Sequence, residues 1–154
     1  MIYDAAVDAL LESARRARDH AYAPYSRFAV GAAVQTDAGT FSGANVENAS
    51  YPVGMCAERA AAAAAVSAGA RRIAAVVVTT LAARPTPPCG MCRQFLHEFG
   101  PGMVVVSEAG DGTRGRWLLG DLLPHAFGPE DLGDTRAVGS GDGAGAPTDV
   151  SEGP

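Results

Sequence analysis

Three cysteines and one glutamate have the residue types and spacing needed to hold a metal ion and to move a proton. Cys56 and Glu58 are separated by one residue, and Cys89 and Cys92 are separated by two. Both segments lead into residues typical of a helix. The cysteines are therefore expected at helix N-termini, where unpaired N–H groups and the helix dipole stabilise the thiolate, the form that binds metals.

Three sulfur ligands leave one position of a tetrahedral zinc ion open, which is typical of a catalytic rather than a structural site. The histidines, His20, His97 and His125, are scattered along the chain. His97 follows Cys92 by five residues, a helical spacing that turns it away from the cysteines. Each histidine is expected at the surface or at the core boundary. The odd number of cysteines favours metal ligands or free thiols over disulfides.

The hydrophobic pattern predicts the elements that would position these residues. The first segment is an amphipathic helix with acidic residues early and arginines late, and residues 73–80 form an apolar, β-branched internal strand. The predicted helices are 4–20, 56–67 and 90–98, and the predicted strands are 27–36, 41–47, 73–80, 103–108 and, as an edge strand, 116–119. This order indicates an α/β fold, a three-layer α/β/α sandwich with a mixed five-stranded sheet and helices on both faces.

Length and composition limit the classes of protein that fit. A chain of 154 residues, 47% of them hydrophobic, suits one domain. That domain is predicted over residues 1–132, followed by a disordered tail over 133–154 that has little to bury. All 12 basic residues are arginine, so lysine chemistry is excluded, and the net charge of -5 does not favour nucleic-acid binding. Short apolar runs and an acidic N-terminus predict a cytoplasmic protein with no membrane partner.

The two cysteine segments together match the signature of zinc-dependent deaminases, in which the glutamate is an acid and base and not a ligand. From about Tyr22 to Leu132 the chain resembles the small homotetrameric cytidine deaminases. The segments that carry the resemblance are PYSRFAVGAA, NVENASY, CAER, PCGMCRQFL and LLPHAFGPEDL. The resemblance implies one zinc ion per chain, held by Cys56, Cys89 and Cys92, with Glu58 as the proton shuttle. It also implies a homotetramer with active sites shared between subunits.

The resemblance further implies how a cytosine nucleoside would bind. Asn45 and Glu47 would hydrogen-bond the 3′-hydroxyl side of the ribose, since an amide donates and accepts while a carboxylate accepts. Both are expected on one face of the second strand. The backbone N–H of Ala57 would hold the base carbonyl O2.

Further contacts implied by the resemblance are aromatic or come from loops. Phe28 and Phe127 would pack against the pyrimidine ring, Phe127 from a neighbouring subunit. Ala49 and Tyr51 would approach a neighbouring subunit's ribose. Arg59 would hydrogen-bond the zinc-ligating thiolates and compensate their negative charge, which otherwise weakens zinc as a Lewis acid.

The predicted reaction is hydrolytic deamination of cytidine, and of 2′-deoxycytidine, to the uracil nucleoside and ammonia, as in pyrimidine salvage. Three alternatives stay open. A deaminase of a nucleoside antibiotic such as blasticidin S would keep the zinc residues and change those that recognise the sugar. A nucleic-acid-editing deaminase would carry a basic groove. A noncatalytic zinc-stabilised interaction domain would use Glu58 and Arg59 only to cap and solvate a helix.

Overall fold

The computed structural model describes residues 4–132, which form four helices and five strands. The tail predicted over 133–154 lies outside the described residues. The elements are α1 (Asp4–Arg18), β1 (Val30–Thr36), β2 (Gly39–Ala44), α2 (Ala57–Ser67), β3 (Ile73–Thr80), α3 (Gly90–His97), β4 (Val104–Glu108), β5 (Arg114–Leu118) and α4 (Leu119–Leu122). Two 3-10 turns, Tyr51–Val53 and Pro129–Leu132, complete this part of the chain.

The five strands form one mixed sheet in the order β2-β1-β3-β4-β5. β1 pairs antiparallel with both β2 and β3, β3 pairs parallel with β4, and β5 closes the other edge antiparallel to β4. The parallel pair requires a crossover connection, which α3 supplies. The predicted mixed sheet, with its short fifth strand at the edge, is confirmed.

Helices cover both faces of the sheet, as predicted. Alternate side chains of the central strands point to opposite faces, so neighbouring residues such as Val76 and Val77 belong to different hydrophobic cores. The core under α1 contains Val7, Leu10, Leu11, Ala14, Ala33, Ala75, Val77 and Val106. The core under α2 and α3 includes Ala57, Ala61, Ala62, Ala65, Val34, Val76, Val105 and Leu96.

The alanine run of α2 lies directly against β2. A Cβ atom at Gly43 would stand 2.6 Å from the backbone nitrogen of Ala61 and 2.8 Å from the Cβ of Ala60. Those distances are too short for any side chain, so strand and helix approach each other through glycine and alanine. Small residues on both elements therefore fix the distance of α2 from the sheet and with it the position of the helix N-terminus.

The largest errors in the predicted strand boundaries, three residues each, are at the start of β1 and the end of β2. β1 begins at Val30 and not at residue 27, because Arg27 has a left-handed backbone with φ of 58° that interrupts an extended strand. β2 ends at Ala44 and not at residue 47. Beyond it, Val46 leaves the sheet to pair with Tyr22 and with Met55 through isolated bridges. Asn45 and Glu47 therefore lie past the strand end.

Within residues 4–132, none of the helices has both the length and the apolar character needed to cross a membrane.

Candidate active site

A cavity of about 810 Å³ opens where the N-termini of α2 and α3 meet the loops that follow α1 and β2. Its walls carry most of the residues that the sequence singles out. Those are Phe28, Asn45, Glu47, Tyr51, Cys56, Ala57, Glu58, Arg59 and Cys89.

Cys56 and Cys89 line one part of this cavity, called the sulfur end below, and buried Cys92 lies next to them without lining it. Cys56 is the N-cap residue of α2, Cys89 is the N-cap residue of α3, and Cys92 lies in the first turn of α3. Their sulfur atoms all lie within 4.8 Å of one another, and the Sγ atoms of Cys56 and Cys89 are 3.9 Å apart. Tetrahedral zinc with Zn–S bonds of about 2.3 Å places its sulfur ligands about 3.8 Å apart. The cluster fits a zinc ion with three protein ligands.

The electrostatics of the cluster favour a thiolate. Hydrogen bonds from Cys92 and from Cys89, together with the nearby Arg59, lower the pKa of Cys56 to about 5, although burial acts in the opposite direction. The hydrogen bond to Cys56 and its own burial raise the pKa of Cys92. The cluster therefore shares negative charge at neutral pH, and that charge attracts a metal cation.

Arg59 lies beside these sulfur atoms. Burial lowers the pKa of its guanidinium, but the negative charge of Cys56 and Cys92 outweighs burial, so the net shift is upward. Its Nη2 atom donates to the carbonyl oxygen of Gly54 at 2.9 Å. Its Nε atom is buried and has no hydrogen-bond partner. A buried donor without an acceptor costs free energy. The free Nε–H of Arg59 is therefore suited to a site where negative charge collects on the neighbouring thiolates.

Glu58 stands in the first turn of α2 and is only 5% exposed. Burial raises the pKa of its carboxyl group, its own backbone N–H lowers it, and the Cys56 thiolate raises it further, for a net upward shift. A carboxyl group with a raised pKa exchanges protons closer to neutral pH, as a general acid and base must. The structure thus places a buried carboxyl group with a raised pKa in the same cavity as Cys56 and Cys89.

Asn45 and Glu47 also line the cavity, and both hold the loop that follows α1. The Asn45 amide accepts from the backbone N–H of Val30 at 2.9 Å and donates to the carbonyl oxygen of Phe28 at 2.8 Å. Glu47 accepts from the backbone N–H groups of Tyr25 and Ser26, at 2.9 and 3.1 Å, and from the Ser26 hydroxyl. Both side chains are therefore fixed before any substrate binds.

Two of the predicted contact residues lie away from this cavity. Ala49 is exposed and is not among its lining residues. Phe127 is 58% exposed and lines a separate pocket of about 650 Å³ together with His97 and His125. Gln94 holds the Phe127 backbone there, accepting from its N–H at 3.2 Å and donating to its carbonyl oxygen at 2.7 Å.

Several residues that line the cavity were not predicted from the sequence, notably Ser26, Thr80, Thr86 and Met91. Ser26 lies within the quoted segment PYSRF, but a serine in a turn has a local explanation and gives no signal of a long-range partner. Met91 lies between Cys89 and Cys92, so its position next to the site was available from the spacing alone.

Comparisons with known proteins agree with this geometry. The family model of the cytidine and deoxycytidylate deaminase zinc-binding region matches residues 5–108. The cytidine deaminase of Halalkalibacterium halodurans is 44% identical over 127 residues, covering 81% of this chain and 96% of that relative. The cytidine deaminase of Mycobacterium tuberculosis is 42% identical over 121 residues, covering 78% of this chain and 88% of that relative.

A solved structure gives the same result. The crystal structure of cytidine deaminase from Burkholderia pseudomallei matches with a TM-score of 0.75 at 48% identity, covering 78% of this chain and 98% of that one. Because the family model and these nearly full-length relatives extend over the helices that carry the cysteines, the chain belongs to the cytidine and deoxycytidylate deaminase family of zinc-binding enzymes.

Proposed function

We propose that this protein catalyses the hydrolytic deamination of cytidine and 2′-deoxycytidine to the uracil nucleosides and ammonia, in pyrimidine salvage. The observation that carries the proposal is that buried Glu58 lines one cavity with Cys56 and Cys89, whose sulfur atoms lie within 4.8 Å of each other and of the Cys92 sulfur atom. A noncatalytic zinc domain has no need of a buried carboxyl group with a raised pKa beside its ligands.

The three cysteines would hold one zinc ion per chain, and Arg59 would offset the charge that they concentrate. When bound, zinc supplies the Lewis acid that lowers the pKa of a coordinated water molecule, the nucleophile of the reaction. Arg59 suits its role because its charge lies against the thiolates and its buried Nε–H is unpaired.

Glu58 would move the protons of the reaction. Its carboxylate takes a proton from the attacking water and delivers it to N3 of the cytosine ring while the new C4–O bond forms. It then carries the second proton to the amino group, which leaves as ammonia when the C4–N bond breaks. A raised pKa suits a group that must gain and lose a proton in each turnover.

The other walls would orient the nucleoside. The backbone N–H of Ala57 would hold O2 of the base, the ring of Phe28 would pack against the base, and Asn45 and Glu47 would bind the sugar. These residues all line the cavity that Cys56 and Cys89 also line. This arrangement would place the base at the sulfur end and the sugar at the outer end.

Charge supports a nucleoside substrate over a nucleotide. Among the described residues that line the cavity, Arg59 is the one cationic side chain, whereas Glu47 and Glu58 are both acidic. The Arg59 guanidinium is directed to the thiolates and to the Gly54 carbonyl. A phosphate group on the sugar would therefore lack a counter-charge in the cavity wall.

We also propose a cytoplasmic homotetramer in which Phe127, Ala49 and Tyr51 of one subunit approach a neighbour's nucleoside. Phe127 and Ala49 lie outside their own chain's cavity, and Tyr51 is 76% exposed at its rim. These positions suit residues that serve another copy. Residues 1–132 would form the catalytic domain. Native mass spectrometry of the active enzyme tests the assembly, and a fully active monomer would contradict it.

The experiment that tests the proposed substrate is a panel measured by ammonia release with zinc-loaded protein. The panel contains cytidine, 2′-deoxycytidine, cytidine 5′-monophosphate, free cytosine and blasticidin S. We expect turnover of the two nucleosides. The kcat/KM should be lower by about 100-fold or more for the monophosphate, whose phosphate has no counter-charge in the cavity, and for cytosine, which lacks the sugar contacts. Turnover confined to blasticidin S, or absent throughout, would refute the proposal.

A further inference from the structure

The turn over residues 25–28 surrounds the carboxylate of Glu47. The backbone N–H groups of Tyr25 and Ser26 both donate to Glu47 Oε2, and the Ser26 hydroxyl donates to Oε1. The Ser26 oxygen in turn accepts from the backbone N–H of Phe28 at 3.0 Å. One hydroxyl group thus connects Glu47 to Phe28, and all three residues line the cavity.

These hydrogen bonds leave the Glu47 carboxylate with few free acceptor positions. A carboxylate has about four acceptor positions, two on each oxygen. Oε2 uses both positions on Tyr25 and Ser26, and Oε1 uses one on the Ser26 hydroxyl. One acceptor position therefore remains, and it is on Oε1, the oxygen that Ser26 holds.

The charge of Glu47 reinforces this restriction. The hydrogen bond from Ser26 lowers the pKa of Glu47 most strongly, partial burial opposes it, and the two backbone N–H groups lower it further. An ionised carboxylate has no proton to donate. The free position on Oε1 can therefore receive a hydrogen-bond donor and repels an anionic group.

The backbone of the turn is itself held in an unusual conformation. Arg27 has φ of 58°, a left-handed value that is rare for a residue with a long side chain, and its N–H donates to the carbonyl oxygen of Ala23 at 3.0 Å. Such conformations persist where surrounding contacts over-determine them, often at functional sites. Here the Arg27 conformation lies in the same turn as the Tyr25 and Ser26 N–H groups that donate to Glu47.

We propose that Ser26 is a positioning residue, whose hydroxyl group holds the Glu47 carboxylate in the orientation in which it would meet the 3′-hydroxyl group of the sugar. This inference rests on the proposed function, because it takes Glu47 as the group that meets the ribose. It adds a residue that has no direct role in chemistry and acts only through Glu47. A sugar whose 3′ oxygen is missing or esterified cannot donate to Oε1 and loses the contact.

The test compares Ser26→Ala with the wild type on cytidine and on 3′-deoxycytidine. With cytidine, Ser26→Ala should raise KM by roughly 10-fold, the expected effect of releasing a hydrogen bond to a charged group, and leave kcat within about twofold. With 3′-deoxycytidine, the two proteins should have the same KM within about twofold, since the contact that Ser26 positions is already absent. Zinc content should stay at about one ion per chain in both.

Three further variants separate positioning from a general structural role. Ser26→Thr keeps the hydroxyl group and should restore the KM for cytidine. Glu47→Gln should be impaired on cytidine, and adding Ser26→Ala to it should cause no further loss, since both changes act on one contact. Ser42→Ala removes an exposed hydroxyl from β2 and serves as the matched control, with the wild-type KM.

The inference is overturned if Ser26→Ala leaves the KM for cytidine unchanged, impairs both substrates equally, or is not rescued by threonine. It is also overturned if the Glu47→Gln and Ser26→Ala losses simply multiply. If the wild type deaminates cytidine and Ser26→Ala has the same KM for cytidine, this inference is refuted and the proposed function is not. Wild-type protein that does not deaminate cytidine refutes the proposed function and this inference with it.

Discussion

The two ends of the cavity are built in different ways. At the sulfur end, the side chains project from the first turns of two helices, and Cys92 and Glu58 are buried. At the sugar end, the name used below for the part of the wall that we propose binds the sugar, Asn45 and Glu47 lie on a segment paired through isolated bridges and hold an exposed turn by side-chain hydrogen bonds. The sulfur end takes its geometry from secondary structure, whereas the sugar end takes it from contacts between loops.

This difference matches the work that each end would do. Shifted pKa values and metal binding require burial and fixed distances, which a helix end packed on a sheet supplies. A nucleoside must also enter and leave, and exposed loops at the outer end permit this. Substitutions at the sulfur end should therefore abolish turnover. Substitutions in β2, against which α2 packs, should lower turnover by displacing the residues at the sulfur end. Substitutions on the opposite face of the sheet should change the stability of the fold alone.

The largest effect is expected for Cys92→Ala. This change removes a buried ligand, so zinc content should fall well below one ion per chain, and kcat/KM should fall by more than about 10³-fold, beyond the 10–100-fold typical of residues outside the ligand shell. Atomic emission spectrometry and ammonia release measure the two quantities. Normal zinc content with normal turnover would contradict the assignment of this ligand.

A smaller effect is expected for Gly43→Ala, which acts from behind the sulfur end. The added methyl group would meet the Ala61 nitrogen at 2.6 Å, so α2 must shift away from β2 and carry Cys56 and Glu58 with it. We expect the free energy of unfolding to fall by about 1–3 kcal/mol and kcat to fall by roughly 10-fold. Denaturant unfolding and steady-state kinetics measure both.

The matched control for Gly43→Ala is Ser42→Ala, one residue earlier on the same strand but exposed. Its stability and kcat should equal those of the wild type. If Gly43→Ala also left both quantities unchanged, close packing of α2 on β2 would not be what positions the sulfur end.

The smallest effect on activity is expected for Glu108→Gln, on the face of the sheet covered by α1. Glu108 is 4% exposed and accepts from Arg15 Nη2 at 2.7 Å and from Arg114 Nε at 3.2 Å. Burial raises the pKa of Glu108, but the two arginines outweigh it, so the pKa is lowered from its usual 4.5. Its ion pairs therefore stabilise the folded state above about pH 4.5, and this contribution is lost as the pH falls through the lowered pKa.

We expect Glu108→Gln to lower the free energy of unfolding at pH 7 by about 1–3 kcal/mol while kcat/KM for cytidine stays within about twofold of the wild type. The difference in stability from the wild type should narrow as the pH falls below about 4.5. Unfolding curves between pH 3 and pH 7 test this, with pH values chosen around the usual range of a carboxyl group. A large loss of turnover would show that the two faces of the sheet are coupled.

The sequence predicted the sulfur end well because its information is local. The spacing of Cys56 and Glu58, and that of Cys89 and Cys92, is short, and each pair lies at the start of a helix. The apolar strand between the two pairs implies that both helix starts lie at the same end of the sheet. The fold class follows from the same hydrophobic periodicities. Both therefore follow from the sequence.

The sugar end was predicted less completely because it depends on contacts distant in sequence. Nothing local to Asn45 indicates that β2 stops at Ala44, or that Val46 pairs with Tyr22 instead. The hydrogen bonds from Ser26 to Glu47 join residues 21 positions apart, and propensities carry no signal of them. Resemblance to a family supplied the residues there, and the structure supplied their partners.

The most direct test of the proposed chemistry is Glu58→Gln, assayed for zinc content and for deamination of cytidine by the same preparation. This substitution keeps the size of the side chain and removes its proton exchange, while the three cysteines remain unchanged. We expect about one zinc ion per chain, as in the wild type, with kcat reduced by roughly 10²-fold or more. Wild-type turnover in this variant would contradict the claim that Glu58 moves the protons of the reaction.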